Sequence, residues 1–500
     1  MPETCCELRQ PPLSLMDFYR TPSDHAALEQ WLLENCRDTD VLVMSVEQLL
    51  YGGLLASRNN RVQEKTCLER LSLLKRLKRE NPSMEIYLFS IIMRATVSTL
   101  NAESQRWWEL VAQYSQAAYQ AQTNPCDVNI QALDQLAAQI PSDVLEKYHA
   151  VRRRNHKVNK ACVGFVGQGI ARRLLLLQED CAPRSLQVLE QQSLRRMIDE
   201  MGVSDRVDLH NGTDEAANEL CVRALLQDRT IPLQILWLGE NRDFIARYED
   251  RPFRENLASH FRLMNCREEA QAASILAILP PKQEQFDNCP PLYDSSNDYT
   301  EKDYEEMVFK LLETQRQGKR CYLLDLTHAN GGDIPFMRFL NSRLPLTELT
   351  GYSAWNTASN ALGTILAQIG FDLLRGNEPP KKFLWERLLD DLLYQSIVRQ
   401  RFQQALKAAG EDIWNLSDME KAQATLLDCF QEIRPLVDEL MGSNMEFTAK
   451  LRWPRIFEID VTTVGTATPP ETQRPRSKIF EGKRAIGKDN KQGEYVSTAL

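Results

Sequence analysis

The stretch CYLLDLTHANGGD, residues 321–333, decides the fold together with LTGYSAWNTASNALGTILAQ at residues 349–368. In each segment an apolar run typical of a buried strand ends in polar, glycine-containing residues that lead into a helical pattern. Loops at the carboxyl ends of parallel strands converge on one crevice, where α/β proteins bind small molecules. The two segments therefore predict an α/β fold with a ligand site, and they name no substrate.

The rest of the chain repeats this pattern of short apolar runs separated by helical segments. Five further runs predict buried parallel strands: Val41–Ser45, Ile86–Ser90, Leu174–Leu177, Val207–Leu209 and Leu233–Leu238. The alternation favours mostly parallel sheets of the doubly wound type, in two or three lobes with right-handed crossovers. A closed barrel is the alternative, because both architectures place functional loops at the carboxyl ends of strands.

The predicted organisation has six parts. Helical patterns interrupt the alternation at 101–173, as an insertion or cap, and at 377–465, as a helical C-terminal region with a closing strand. Residues 466–500 are polar and lack apolar periodicity, which predicts a disordered tail. The remaining parts are α/β units: an N-terminal lobe at 1–100, a second lobe at 174–285, and the unit at 286–376 that carries the two opening segments.

Composition argues against several classes of function. A net charge of −9 disfavours a general nucleic-acid binder, which shows a basic face, and disfavours work on an anionic membrane surface. No run of about twenty apolar residues is present, so no segment is expected to span a bilayer, and the first residues lack the apolar core of a signal peptide. Twelve cysteines occur without a CxxC pair and beside only six histidines. We therefore expect free thiols in a reducing cytoplasm and no zinc site.

Polar side chains follow each predicted strand. Because the carboxyl ends of parallel strands share one edge of a sheet, these side chains should gather around one site. They are Glu47, Tyr51, Arg58, Arg94, Glu179, Asp180, Asp214, Glu215, Glu240 and Asn241. Asp214 is equally a candidate for a helix N-cap, and Asp333 has the same alternative.

The opening segments supply the most specific candidates. Asp325 interrupts a strand one residue before its end, where a charge needs a partner, and we interpret it as functional, with a salt bridge or cap as the alternative. Asn330 and the two glycines after it allow close approach of the backbone to a ligand, or form a plain tight turn. Trp355 beside Asn356 suits stacking on a sugar-like ring, or is a core tryptophan beside a capping asparagine.

Six motifs are spread over the chain: YGGLLASR at 51–58, IIMRAT at 91–96, RRRN at 152–155, TDEAANEL at 213–220, HANGGD at 328–333 and YSAWNTASNALGT at 352–364. With RWPRIFEID at 452–460, they make the chain resemble an uncharacterised bacterial family, domain of unknown function DUF4127, from about Pro11 to Val461. The resemblance implies a cytoplasmic α/β protein of about this size and transfers no reaction. It also implies a further N-terminal strand ending in Asp-x-Arg-Pro, and the chain starts near QPPLSL without it.

We predict an enzyme, a hydrolase that acts on a carbohydrate-like or other polar small molecule. Asp325 and Asp180 are the predicted pair of acid and base or nucleophile. Arg58 and Arg94 would bind or orient an anionic group. The other predicted substrate-binding residues are Asp214, Glu215, His328, Asn330, Asp333, Trp355, Asn356 and Asn360.

Two other functions remain open on the same residues. One is a non-catalytic sensor or binding protein for a small molecule, and the other is an isomerase, racemase or lyase that abstracts a proton with the same carboxylates. No cofactor is required, although a Mg²⁺ ion held by Asp325 and Asp333 is an open alternative because hard oxygen ligands suit it. No nucleic-acid or membrane partner is expected.

Overall fold

Short apolar runs form the strands of two parallel sheets in a computed structural model that describes residues 6–98, 101–287, 299–376 and 379–464. The tail predicted as disordered, 466–500, lies outside the described residues. The strands of these two sheets and of two smaller, two-stranded sheets (β8 with β10, β12 with β13) are as follows: β1 Val41–Ser45, β2 Glu85–Ile92, β3 Arg173–Gln178, β4 Val207–Asn211, β5 Ile231–Trp237, β6 Cys266–Glu268, β7 Ser274–Leu279, β8 Phe286–Asp287, β9 Arg320–Asp325, β10 His328–Ala329, β11 Gly351–Ser353, β12 Phe447–Trp453 and β13 Arg455–Thr463.

Helices connect the strands and also form two regions of their own. They are α1 His25–Asn35, α2 Val46–Tyr51, α3 Leu54–Ser57, α4 Glu64–Leu71, α5 Leu73–Glu80, α6 Ala102–Thr123, α7 Asp127–Ala137, α8 Ser142–Gly167, α9 Leu186–Glu200, α10 Ala216–Leu226, α11 Phe253–Met264, α12 Glu301–Arg316, α13 Ile334–Asn341, α14 Ala358–Arg375, α15 Lys381–Arg387, α16 Arg399–Ala408, α17 Met419–Glu432 and α18 Arg434–Met441. Short 3₁₀ turns span Leu13–Leu15 and Leu346–Glu348, and a π-helix spans Leu388–Val398.

The first sheet is buried on both faces. Its strands lie in the order β1-β2-β3-β4, all parallel. Successive side chains of a strand point to opposite faces, so Leu174 and Leu176 pack into one core with α8 while Leu175 and Leu177 pack into another with Leu220 of α10. Each such leucine contributes about 1.5–3 kcal/mol by leaving water. The uninterrupted run of leucines is therefore what a strand with two covered faces requires.

The second sheet has the doubly wound order that the alternation predicted. Its parallel strands lie in the order β11-β9-β7-β5-β6, so the chain moves outward from β5 first to β6 and then, on the other side, to β7, β9 and β11. Such a reversal separates the loops that follow the two adjacent strands and opens a crevice between them. The prediction of an α/β fold with mostly parallel sheets is confirmed, and both sheets are open rather than closed into a barrel.

Helices α10 and α11 form a layer between the two sheets. Helix α10 packs against β1 and β2 on one side and against α14 on the other, and α11 packs between β4 and α14. Helix α14 comes close to α10 at Gly363, where a side-chain Cβ would clash with Cγ of Glu215 and lie 3.0 Å from Cδ of Glu219. The absence of a side chain at this glycine therefore sets how closely the two halves of the protein approach.

We expect Gly363→Ala to lower the free energy of unfolding by about 1–3 kcal/mol, because the added methyl group overpacks a fully buried contact. The clash must outweigh the gain of about 1 kcal/mol that alanine brings to a helix interior. Gly164→Ala in α8 is the matched control, since its Cβ would meet nothing closer than Nε2 of Gln168 at 3.9 Å. Urea denaturation of both variants measures the difference, and a Gly363→Ala variant as stable as wild type would contradict the close packing.

The C-terminal region stands opposite the strand ends of both sheets. Helix α15, the π-helix and α16–α18 pack together with an antiparallel hairpin formed by β12 and β13. The π-helix holds the hairpin, because the Tyr394 hydroxyl donates a hydrogen bond to the Ile456 carbonyl and Gln395 Nε2 donates one to the Phe457 carbonyl at 3.2 Å. The hairpin is thereby fixed beside the edge where the sheet loops converge.

Candidate functional site

A cavity of about 1690 Å³ lies between the carboxyl ends of both sheets and the C-terminal region. Loops that follow β1, β2, β3, β4, β5, β9 and β11 reach its wall. Eight of the predicted site residues line it: Arg58, Arg94, Asp180, Asp214, Asn330, Trp355, Asn356 and Asn360. A second depression of about 710 Å³ is lined mostly by charged side chains of α4 and α5 and contains none of the predicted residues.

Two arginines and two carboxylates form an ion-paired cluster on the wall contributed by the first sheet. Arg94 Nε lies 3.2 Å from Oε2 of Glu179, Arg94 Nη2 lies 2.6 Å from Oδ2 of Asp180, and Arg58 pairs with Glu179. Burial raises the pKa of the Glu179 carboxyl, but the charges of Arg58 and Arg94 outweigh it and hold this pKa below 4.5. Because both arginines are compensated within the chain, the predicted binding of an anionic group by Arg58 and Arg94 gains no support from this geometry.

The loop after β4 is held by a side chain from the other half of the protein. The backbone N–H of Thr213 donates to Oδ1 of Asn360 at 2.8 Å, and Nδ2 of Asn360 donates to Oδ2 of Asp214 at 3.4 Å. Asn360 lies in the first turn of α14, which Thr357 caps. Asp214 does not cap α10, because that helix begins at Ala216 without a side-chain cap. The second half of the molecule therefore orients Asp214 toward the cavity.

Asp214 is an exposed residue of the cavity wall, and the neighbouring protein limits the hydration of its carboxyl group. This limited hydration, together with the negative charges of Glu458 and Asp180, raises the pKa of Asp214 to about 6. Its neighbour Glu215 points away from the cavity, is fully buried, and accepts a hydrogen bond from the Thr213 N–H at 2.9 Å. The structure therefore separates these adjacent residues, and Glu215 supports the loop instead of lining the cavity.

Asp325 lies behind the cavity wall rather than in it. Its side chain is fully buried, with Oδ1 accepting hydrogen bonds from the N–H and hydroxyl of Thr327 and Oδ2 accepting one from the Asp333 N–H at 2.7 Å. These bonds make Asp325 a support for the loop between β9 and α13, whose N-cap is Asp333 and not Asp325. The catalytic role predicted for Asp325 gains no support, because the carboxylate does not reach the cavity.

Asp333 and His328 belong to the same supporting network. Asp333 caps α13 by accepting a hydrogen bond from the Phe336 N–H at 3.0 Å, and its other oxygen accepts one from the Tyr304 hydroxyl at 3.1 Å. The His328 ring is buried, with Nδ1 3.1 Å from the Thr327 hydroxyl. All four carboxylate oxygens of Asp325 and Asp333 accept hydrogen bonds from protein donors, so a magnesium ion at this pair gains no support.

The supported loop carries Asn330 into the cavity. Asn330 adopts a φ of 58°, its N–H donates to the Asn356 carbonyl at 2.8 Å, and its Nδ2 donates to Oδ1 of Asp287 at 3.0 Å. Beside it, the Trp355–Asn356 peptide bond is cis and the Trp355 ring lies 5.9 Å from the ring of Phe457. The two opening segments thus meet through their backbones, and together they form one wall.

The π-helix and the hairpin contribute residues that were not predicted. Asp390 and Gln395 lie on the π-helix, and Arg455 and Glu458 lie on β13. Burial and the nearby Asp391 carboxylate raise the pKa of Asp390 to about 7, against the lowering effect of Arg387. The only sequence signal for the hairpin residues is their place in the motif RWPRIFEID, and π-helices often occur at functional sites.

Several polar atoms of the cavity wall have no hydrogen-bond partner among the described residues. They are Nε of Arg58, Oδ1 of Asn330, Nε1 of Trp355, Nε of Arg387, Oδ1 of Asp390 and Oε1 of Gln395. Nearly all buried polar atoms of native proteins find a partner in the protein or in ordered water. These atoms belong to residues of the cavity wall but are themselves buried, so they are not open to the cavity in this structure.

Comparison with known proteins gives a family and no reaction. The family described as "Protein of unknown function (DUF4127)" matches residues 3–462. No curated protein and no solved structure matches the chain. Among the described residues, no helix combines the length and the apolar character needed to cross a membrane. The match covers both sheets, the cavity and the hairpin, and the chain belongs to the DUF4127 family.

Proposed function

We propose that the protein is a hydrolase of a hydroxyl-rich, carbohydrate-like small molecule that binds in the cavity. The observation that carries the proposal is the difference between two carboxyl groups of the same wall. Asp214 has a pKa raised to about 6, whereas Asp180 forms an ion pair with Arg94 at 2.6 Å. Two carboxyl groups with unlike environments are suited to act as acid and base in one reaction.

In this proposal Asp214 takes the role of general acid that the sequence suggested for Asp325. Protonated Asp214 donates its proton to the leaving oxygen as the bond between that oxygen and the sugar carbon breaks. The carboxylate of Asp180 accepts a proton from a water molecule that attacks the same carbon, or attacks the carbon itself before water replaces it. Where Asp180 acts as a base, solvent returns its proton to Asp214 after the products leave. Where Asp180 attacks the carbon, Asp214 regains its proton from the water molecule that releases the sugar.

The composition of the wall favours a neutral polar substrate over an anion. Arg58 and Arg94 are compensated by carboxylates, so they leave little net positive charge beside Asp214. The amide side chains of Asn330, Asn356 and Asn360 line the cavity and carry donors and acceptors that match the hydroxyl groups of a sugar. Aromatic rings such as Trp355 offer an apolar face on which a pyranose ring can stack.

A ligand screen followed by isotope labelling tests the proposal. Sugars, oligosaccharides, sugar phosphates and carboxylates are first compared for their effect on the melting temperature, and we expect neutral sugars to stabilise the protein most. Ligands that stabilise are then incubated with the protein in H₂¹⁸O, and mass spectrometry follows the products. Hydrolysis places one ¹⁸O atom in the product.

The same experiment separates the competing functions. A stabilising ligand that is recovered unchanged would favour a sensor or binding protein. A product of altered structure without ¹⁸O would favour an isomerase, racemase or lyase. Absence of stabilisation by every polar ligand would contradict the assignment of the cavity as a small-molecule site.

A further inference from the structure

Two histidines and a glutamate meet in the helical layer between the sheets, outside the cavity wall. His210 lies in β4, Glu219 lies on α10 and His260 lies on α11. All three side chains are fully buried. One nitrogen or oxygen from each residue lies within 4.8 Å of those of the other two, and the two imidazole rings are 3.9 Å apart between centroids.

The hydrogen bonds of this cluster leave one atom of each residue without a partner among the described residues. His210 Nδ1 lies 2.7 Å from the Asn211 carbonyl, which only accepts, so Nδ1 carries the proton and Nε2 is a lone pair. His260 Nδ1 lies 2.7 Å from Oε1 of Glu219; when this carboxyl group is ionised it only accepts, so Nδ1 then carries the proton and Nε2 of His260 is a lone pair. Oε2 of Glu219 and both Nε2 atoms are buried without a partner among the described residues.

Buried lone pairs that meet no donor, as in this cluster, lower the stability of the folded protein. Each buried acceptor without a donor destabilises a protein by about 1–3 kcal/mol. A single proton would satisfy only part of this set, whereas a metal ion can meet all three atoms. Neutral imidazole is the form that binds metal ions.

We propose that His210, Glu219 and His260 bind a divalent transition-metal ion, of which zinc is the best match to two imidazoles and one carboxylate. Oε2 of Glu219 lies 3.9 Å from Nε2 of His210. An ion about 2.1 Å from each ligand atom requires those atoms to lie at most about 4.2 Å apart. The ligand atoms lie within 4.8 Å of one another, so the side chains need to move only slightly closer together. The ion would tie β4, α10 and α11 together.

The three proposed ligands form no recognisable metal-binding motif in the sequence. The three residues lie on separate elements, without the paired cysteine or histidine spacing that marks most zinc motifs. The site is also remote from bulk water and leaves no ligand side chain exposed. A structural ion that is bound during folding fits this burial, because structural zinc sites contribute directly to folding free energy.

Metal analysis of the full chain tests the proposal. The protein is produced without a histidine tag in medium supplemented with Zn²⁺, purified without chelator, and analysed by inductively coupled plasma mass spectrometry. We expect about one zinc ion per chain in wild type and at least about a fivefold lower content in Glu219→Gln and His260→Asn. His25→Asn is the matched control, since this histidine at the start of α1 lies outside the cluster, and it should keep its zinc.

A second measurement on the wild-type protein guards against variants that fail to fold. Chelator-treated protein is refilled with Co²⁺, and visible absorption bands of cobalt held by nitrogen and oxygen ligands are expected, with a rise in melting temperature over the metal-free form. Wild type that holds no zinc and develops no cobalt bands would overturn the proposal and leave a shared proton as the explanation. Equal zinc loss in His25→Asn and Glu219→Gln would also overturn it, because the ion would then lie elsewhere.

Discussion

Replacement of Asp214 with asparagine should lower kcat by about 10²–10⁴-fold, the range typical of a lost general acid, while substrate affinity stays near that of wild type. Asparagine keeps the size of the side chain and an oxygen that can accept the hydrogen bond from Asn360, but it has no proton to transfer. Steady-state kinetics and direct binding on a substrate from the ligand screen measure the two effects separately. Asp243→Asn is the control, since this exposed carboxylate pairs with Arg254 outside the cavity.

The dependence of activity on pH is an independent test of Asp214 as the general acid. A general acid works only while protonated, so wild-type activity should fall as pH rises through about 6, where Asp214 loses its proton. The decline should approach tenfold per pH unit and should be absent from the residual activity of Asp214→Asn. Full activity of the variant, or an unchanged alkaline decline in it, would remove Asp214 from the role of acid.

Replacement of Asp325 with alanine should lower the free energy of unfolding by about 3 kcal/mol, because it leaves buried donors without an acceptor. The N–H groups of Thr327 and Asp333 both donate to this carboxylate. Asp24→Ala is the matched control, because Asp24 also accepts two backbone N–H bonds but at an exposed helix start, where the loss is about 1 kcal/mol.

Urea denaturation of the two variants distinguishes the roles that Asp325 can play. A loss of stability much greater than that of Asp24→Ala agrees with a residue that shapes the loop carrying Asn330. If Asp325→Ala kept the stability of wild type and lost only turnover, the catalytic role predicted from the sequence would be correct.

The sequence predicted most strands of the two large parallel sheets, because burial on two faces leaves an uninterrupted apolar run. Ser274–Leu279 was missed although it forms β7, which lies between β5 and β9 in the second sheet. Five apolar residues after a serine do not distinguish a strand from about a turn and a half of buried helix. β11 has only three residues, and its pairing with β9 depends on contacts that a local pattern does not contain.

The sequence predicted the site residues that follow the ends of strands. It did not predict which way a side chain such as that of Asp325 points, or which residues far away in the chain fold against the site. Asp325 shares a face of β9 with Leu323 and Cys321, so it points into the core beneath α12 and α13. Asp390 and Gln395 occupy a segment whose apolar spacing looks like that of an ordinary helix, although the structure forms a π-helix there. Glu458 reaches Asp214 only through the folding of the hairpin against the sheets.

The strand order of the first sheet implies that the proposed reaction requires both sheets and the hairpin. Its strands run in one direction without a reversal, so this sheet has no crevice of its own. A fragment ending before β5 would retain Arg94 and Asp180 but would present them to bulk water, where an ion pair is worth little and a carboxyl group titrates near pH 4. Enclosure of this edge brings Glu458 of the hairpin near enough for its charge to raise the pKa of Asp214. Halves expressed separately are therefore expected to lack the proposed activity.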